Sequence, residues 1–532
     1  MKNRYLLILN IVLAVLALWM MKHDSLTDYY TLNGDARLLF YINNFEDNLK
    51  TNFLSQAAYS KMLSGATVYL SNFYVIANKF VDFLFIAKLM PILSFLASAI
   101  LIYKFGKLIK DKKYGLIAAF LFILHPLSIR PFDDGMSRAF IFPLLIAFLY
   151  YFVKKEILKL SVVLLFQAML YPPAFLISAL TFGISLVDIK RKGINLDIKK
   201  NYPVYTSMLA SILLIIVPMV FLNYGIKERT PFDEAILYPE FYDDGKVPVF
   251  RGNIPFTSDI KSTIQTLIVI YDTGIHRPLL ANGLFILLLL TIISVLYFKR
   301  KILANIPKEV YFMLISGFVL QSLAALLLFR LHLPSRYVRY PLPLVLMLIL
   351  AYGIYLLSKD RKTMPVFVGL LILLPIFYIP KIDYMPVHCQ DKEVYGYLKT
   401  LPKSALVAGH PTDMNCMALF GQIKPFIMSE LNTPYYKDYY EIVRKRNLDF
   451  FSAYYSDSRL KVQNFCKDNS ITHLIVNKEH FDEGFLNKRR IFYEPFNTHI
   501  KNITQNRKDF YLQEPDNVLF ESGNKIVISC GS

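Results

Sequence analysis

Three short polar runs in an otherwise apolar chain carry side chains that could do chemistry. The first is Asn33-Gly34-Asp35-Ala36-Arg37, directly behind the first hydrophobic helix. A carboxylate at a membrane surface can take a proton from an acceptor hydroxyl, so Asp35 is a candidate general base. Arg37 beside it is a candidate anion ligand. Asp35 could instead cap the short helix that follows, a position aspartate favours. The second run is Arg130-Pro131-Phe132-Asp133-Asp134-Gly135-Met136-Ser137-Arg138. Paired carboxylates at Asp133 and Asp134 could bind a divalent cation, Mg or Mn, or raise one another's pKa. Arg138 could hold a phosphate, while a simple Asp-Asp-Gly turn is the plainer alternative. The third run is Leu333-Pro334-Ser335-Arg336-Tyr337-Val338-Arg339-Tyr340-Pro341. Arg336 and Arg339, three apart, share a helix face, and planar guanidiniums match phosphate oxygens two at a time. Tyr337 and His332 are further candidates for substrate contact. Membrane anchoring beside a tyrosine belt would explain the same arginines.

The elements that must position these runs follow from composition. Of 532 residues, 55% are hydrophobic and 19% charged, and mean hydropathy is +0.39. Such a chain is expected to be a polytopic membrane protein. The net charge of +19 does not point to nucleic acid. The cations cluster in short loops, as at Lys104, Lys107, Lys110, Lys112 and Lys113, or Lys190, Arg191 and Lys192. That is the signature of cytoplasmic loops.

Apolar runs place about eleven transmembrane helices, at 5–21, 83–103, 114–127, 139–153, 160–170, 174–187, 203–222, 279–298, 311–329, 338–357 and 364–379. The first lacks a small-residue cleavage site and reads as a retained anchor with a cytoplasmic N-terminus. Basic residues flank both ends of 160–187, so a hairpin turning at Tyr171-Pro172-Pro173 is expected. The non-cytoplasmic parts are then a long first loop (22–82), a second at 125–138, the turn at Tyr171-Pro172-Pro173, a loop at 223–278, the segment 330–337, and the tail from Lys381. Within 223–278, the acidic residues Asp233, Glu234, Asp243 and Asp244 read as groups that order the loop. The chain divides into a membrane domain, 1–380, and an extracytoplasmic α/β domain, 381–532.

In the tail, strand-like runs at 405–408, 425–428, 473–477 and 525–529 alternate with helical patterns at 436–452 and 459–469. All four cysteines, Cys389, Cys416, Cys466 and Cys530, lie there. That distribution fits two disulfides in an oxidising compartment, with three pairings open. Their spacing contains no CxxC and offers no zinc site.

The layout resembles the C-type glycosyltransferase (GT-C) superfamily and is similar to bacterial multi-span members of it. The resemblance rests on Gly34-Asp35-Ala36-Arg37 behind the first span, on Gly135-Met136-Ser137-Arg138-Ala139-Phe140 in the second outer loop, on the late arginine loop, and on a soluble C-terminal domain. It implies an α-helical GT-C-like membrane domain in a plasma membrane. The implied activity is inverting transfer of a hexose or pentose from a polyprenyl-phosphate donor to a glycan, lipid or protein acceptor. Asp35 would be the base, Asp133 or Asp134 a second acidic site, and Arg138, Arg336 and Arg339 the groups facing phosphate. No Asp-Glu pair follows the first span and no Trp-Trp-Asp occurs, which leaves the acceptor open. A transporter or flippase, or a non-catalytic part of envelope polysaccharide assembly, are the competing classes. The transporter reading lacks support from any internal repeat.

Overall fold

A computed structural model of the chain describes residues 3–32, 34–63, 68–188, 193–194, 198–221, 228–251, 254–255, 305–327, 331, 333–359, 363–378, 387–505, 507 and 509–530. Helices occupy ten of the eleven apolar runs; the run 279–298 lies outside the described residues. Five helices are long and apolar enough to cross a membrane, namely Asn3–Thr27, Phe83–Ile109, Ser137–Lys154, Lys308–Leu326 and Pro334–Leu357. Of the others, Ile198–Phe221 runs 24 residues and the rest are shorter. The run at 160–187 is two 14-residue helices, Ile157–Leu170 and Pro172–Ser185, meeting at Tyr171 with Pro172 opening the second. Proline costs nothing there because its missing N–H would have been unpaired anyway.

The first helix shows how sequence spacing sorts the two environments. Leu6, Asn10, Leu13, Ala17 and Met21 recur at helical spacing and are buried, whereas Leu7, Ile11, Val15 and Trp19 are exposed. An exposed apolar face on a helix of this length suits lipid. The polar member of the buried face, Asn10, donates to the Leu116 carbonyl at 2.9 Å. Helices Phe83–Ile109 and Lys112–Leu124 approach closely at Gly106 and Gly115. A Cβ on Gly106 would come within 2.7 Å of the Gly115 Cα, so small residues let the backbones touch.

The tail holds a five-stranded sheet. Its order is Val518–Ser522, Lys525–Ser529, His473–Asn477, Leu406–Gly409, Lys424–Pro425. The first three strands pair antiparallel and the last two pairings are parallel. Cys389 bonds to Cys416 and Cys466 to Cys530, closing loops of 27 and 64 residues and restricting the unfolded chain.

Three contacts fix the tail to the membrane part. Thr31 and Leu32 pair antiparallel with His388 and Val387. Leu38, Leu39, Phe40 and Tyr41 share a hydrophobic core with Met414, Leu419 and Phe420. The segment 228–251 docks on the helix Lys437–Tyr454, where Tyr440 donates to the buried Glu240 carboxylate at 2.9 Å and Lys437 pairs with Glu234 at 2.5 Å. The first two of these contacts brace the segment just after the first helix, which carries Asp35.

Candidate active site

Asp35 sits in the first turn of a 3-10 helix, Gly34–Ile42, and its side chain is 42% exposed. Asp134 is the opposite case, with a side chain 1% exposed. Its Oδ2 accepts the backbone N–H of Asp35 at 2.6 Å and its Oδ1 accepts that of Met136 at 3.1 Å. The Arg138 Nη2 reaches both carboxylates, 2.9 Å from Asp35 Oδ2 and 3.1 Å from Asp134 Oδ2. A buried carboxylate is tolerated only with such partners. Asp134 therefore orders the backbone beneath Asp35, and Arg138 ties the two loops together.

The turn at Asp133-Asp134-Gly135 is set by close packing. A Cβ on Gly135 would lie 2.4 Å from the Tyr74 hydroxyl and 2.6 Å from the Ala87 carbonyl; Tyr74 itself donates to the Gly135 carbonyl at 2.8 Å. Lys22, at the end of the first helix, donates to the Asp133 carbonyl at 2.7 Å. With Lys88, Asp133 and Asp134 it lines a small cavity. Burial, with the adjacent Asp134 charge adding to it, pushes the Asp133 carboxyl up to about 6. Burial also raises Asp134, against the opposing pull of Arg138.

A second group of cations stands beside this pair. Arg336 donates to the Tyr340 hydroxyl at 3.1 Å. Arg138 and Arg339 lie near enough to act on the same phenol and on Arg336. Tyr171, at the helix junction, meets Tyr340 edge to face with ring centroids 6.1 Å apart. Three guanidiniums around two phenols make an anion-attracting surface next to an accessible carboxylate.

The structure brings together Asp35, Asp134, Arg138, Arg336 and Arg339 from the sequence-derived set, but not all of it. Arg37 pairs with Glu430 of the tail at 2.6 Å and so ties the segment after the first helix to the tail. Tyr337 is buried, 1% exposed, and donates to the Leu331 carbonyl at 2.7 Å, a role within its own turn. His332 lies outside the described residues. Asp133 and Asp134 differ in surroundings, and a cation entering between Asp35 and Asp134 would have to displace Arg138. Among the described residues, the group of side chains that could hold a metal ion is His410, Asp413 and His480 in the tail. Burial drives the His410 imidazole down to about 4.

Sequence reasoning passed over Tyr171, Tyr340, Lys22 and Glu430. Only Lys22 had a local signal, a cation at the end of an apolar run.

This helical bundle with its braced first loop and C-terminal sheet is a fold found among solved structures. Among the structures that share it are those of the Archaeoglobus fulgidus oligosaccharyltransferase AglB. Its complex with Zn and sulfate aligns with a TM-score of 0.51 at 12% identity, over 90% of this chain and 69% of that one. Its complex with an inhibitory peptide and a dolichol-phosphate gives 0.51 at 12%, over 90% and 70%. A form tethered by a disulfide to an acceptor peptide containing the NVT sequon gives 0.50 at 12%, over 91% and 70%. No protein-family model matches the chain, and no curated protein matches it.

Proposed function

We propose that this protein transfers a sugar from a polyprenyl-phosphate-linked donor to an acceptor hydroxyl or amide at the non-cytoplasmic membrane face. The observation that carries the reading is the accessible Asp35 carboxylate paired with Arg138 at 2.9 Å, the same arginine that joins Arg336 and Arg339 around Tyr340. A base alone would suit many reactions. A base next to converging guanidiniums suits one in which a phosphate departs.

In this mechanism Asp35 takes the acceptor proton as the acceptor atom bonds to the anomeric carbon. The bond from that carbon to the phosphate oxygen breaks, and its electron pair leaves with the lipid phosphate. Arg336, Arg339 and the part of Arg138 not engaged with carboxylates stabilise the charge that develops there, and preorganised donors of this kind are a large catalytic term. One displacement inverts the anomeric centre. The AglB relative bound to dolichol-phosphate supports a lipid-phosphate donor, and the form with an acceptor peptide makes a peptide one acceptor class to test. The loops bearing Asp35, Asp134 and Arg336, with the tail, occupy the non-cytoplasmic side in this reading, and Cys389–Cys416 and Cys466–Cys530 fit an oxidising compartment there.

The test uses purified full chain in vesicles loaded with a doubly labelled polyprenyl-phosphate sugar, the label carried on both sugar and lipid. Separation of the labels, with sugar appearing on an acceptor, is the expected result. Movement of both labels together across the bilayer would instead establish a flippase.

A further inference from the structure

The sequence places His410, Asp413 and His480 on three segments that the tail sheet brings together. His410 follows the strand Leu406–Gly409, and Asp413 opens the helix Met414–Phe420. His480 lies in the 3-10 turn Lys478–Phe481 after the strand His473–Asn477. Those two strands are parallel neighbours, so their C-terminal ends lie side by side and deliver both imidazoles to one place.

We propose that these three residues form a zinc site that braces the tail domain. One potential ligand atom from each lies within 4.8 Å of the others. Tetrahedral zinc at about 2.0–2.1 Å from each ligand separates them by roughly 3.3 Å, so closure takes a shift of about 1 Å or a little more. His410 is 2% exposed and its Nε2 is buried with no hydrogen-bond partner. A buried ring nitrogen left unpaired in a polar cluster calls for an explanation, and a metal ion supplies one. The other ring nitrogens are already held. His410 Nδ1 is 2.7 Å from the Thr412 hydroxyl and His480 Nδ1 is 3.2 Å from the Tyr454 hydroxyl. Outer partners of this kind fix the ring and leave the second nitrogen to the metal. His480 Nε2 faces Asp413 Oδ2, 4.0 Å away, and accepts from the Asn477 amide at 3.2 Å, a bond that zinc would replace. Two imidazoles and one carboxylate suit zinc and its transition-metal neighbours rather than magnesium or calcium, which prefer all-oxygen sets.

Lys525 is the competitor. Its ammonium pairs with Asp413, so zinc must displace it. The displaced side chain has somewhere to go, because Lys525 also lines a polar cleft with Asp391, Glu393 and Glu479. The helix that Asp413 opens packs against Gly34–Ile42, so the metal would stiffen the support of that segment. The site is independent of the transferase reading.

The experiment takes the full chain in detergent, strips it with a chelator and reloads it with zinc(II) or cobalt(II). Wild type is expected to bind one more zinc per chain than His410→Gln or His480→Gln. Its cobalt form is expected to show the intense visible bands of tetrahedral coordination. Lys525→Gln is expected to bind zinc about tenfold more tightly or better, since an opposing charge is gone. The cobalt spectrum and the Lys525→Gln titration need neither histidine variant to fold. Equal zinc content in wild type and the histidine variants, only weak cobalt bands, or an unchanged affinity in Lys525→Gln would each overturn the proposal.

Discussion

The backbone N–H of Asp35 donates to the buried carboxylate of Asp134 at 2.6 Å across 99 residues of chain. One carboxylate thus holds the other from beneath, and the same Arg138 nitrogen contacts both. A candidate base on a loop gains from this what a base on a regular element has by default, a fixed position. The arrangement also separates the two acids by task, since Asp134 spends its oxygens on structure while Asp35 keeps its side chain accessible.

Arg138 can be divided by substitution. A lysine ammonium can hold both carboxylates as a single nitrogen does now, but it lacks the rest of the planar fork. Arg138→Lys is expected to melt within a few degrees of wild type while kcat falls by about 10²-fold. Arg138→Ala is expected to lose both, because it strands the buried Asp134 charge at a cost of about 2 kcal/mol or more. Thermal unfolding and initial rates on the two variants check the distinction.

Asp133 gives a pH dependence with a definite sign. Its carboxyl is raised to about 6 by burial, above the value of about 4 for an unfolded chain. The folded state therefore takes up a proton, and the stability from this group is fully present below pH ~4 and lost as pH rises through ~6. Asp133→Asn is expected to flatten the stability profile across that window. At neutral pH it should raise stability by about 1 kcal/mol, measured by thermal melts in one detergent.

Gly135 leaves no room for a methyl group between Tyr74 and Ala87. Gly135→Ala is expected to shift the Asp134 turn, costing about 1–3 kcal/mol as overpacking does, with activity falling further than stability. Tyr74→Phe in the same background removes the nearest clashing atom. It should recover part of the loss, which a double-mutant cycle would read out.

Arg37 and Glu430 are 393 residues apart and 2.6 Å in space, both largely buried. Glu430→Gln leaves the guanidinium poorly paired and is expected to cost about 1–3 kcal/mol. Because Arg37 lies two residues from Asp35, the expected kinetic effect is a moderate fall in kcat with KM for the donor little changed. A large rise in donor KM would instead return Arg37 to the phosphate site.

What could be read from the chain is what stands out locally. Asp35, Arg138 and Arg336 were visible because polar residues between long apolar runs are few and must be accommodated. The strand His473–Asn477 was visible because a short run of β-branched and apolar residues ends in turn residues. The strand Val518–Ser522 was not, since most of its residues face solvent and carry no burial pattern. Tyr340 read as one of a tyrosine belt and Tyr171 as part of the Tyr171-Pro172-Pro173 turn, and nothing in either neighbourhood tells that the two rings meet. Arg37 looked like part of the site by proximity in sequence, yet residues two apart on the short helix point to different sides. Long-range partners such as Glu430, or His480 for His410, follow from sheet order and packing and leave no periodic trace.

The most direct measurement is transfer of labelled sugar by purified Asp35→Asn against wild type in the same detergent, with matched melting temperatures. Asparagine keeps the shape of the side chain but cannot accept the proton. A folded variant with rates at least 10²-fold lower and donor binding retained is the expected result. A folded Asp35→Asn that transfers at the wild-type rate would contradict it and remove Asp35 from the chemistry.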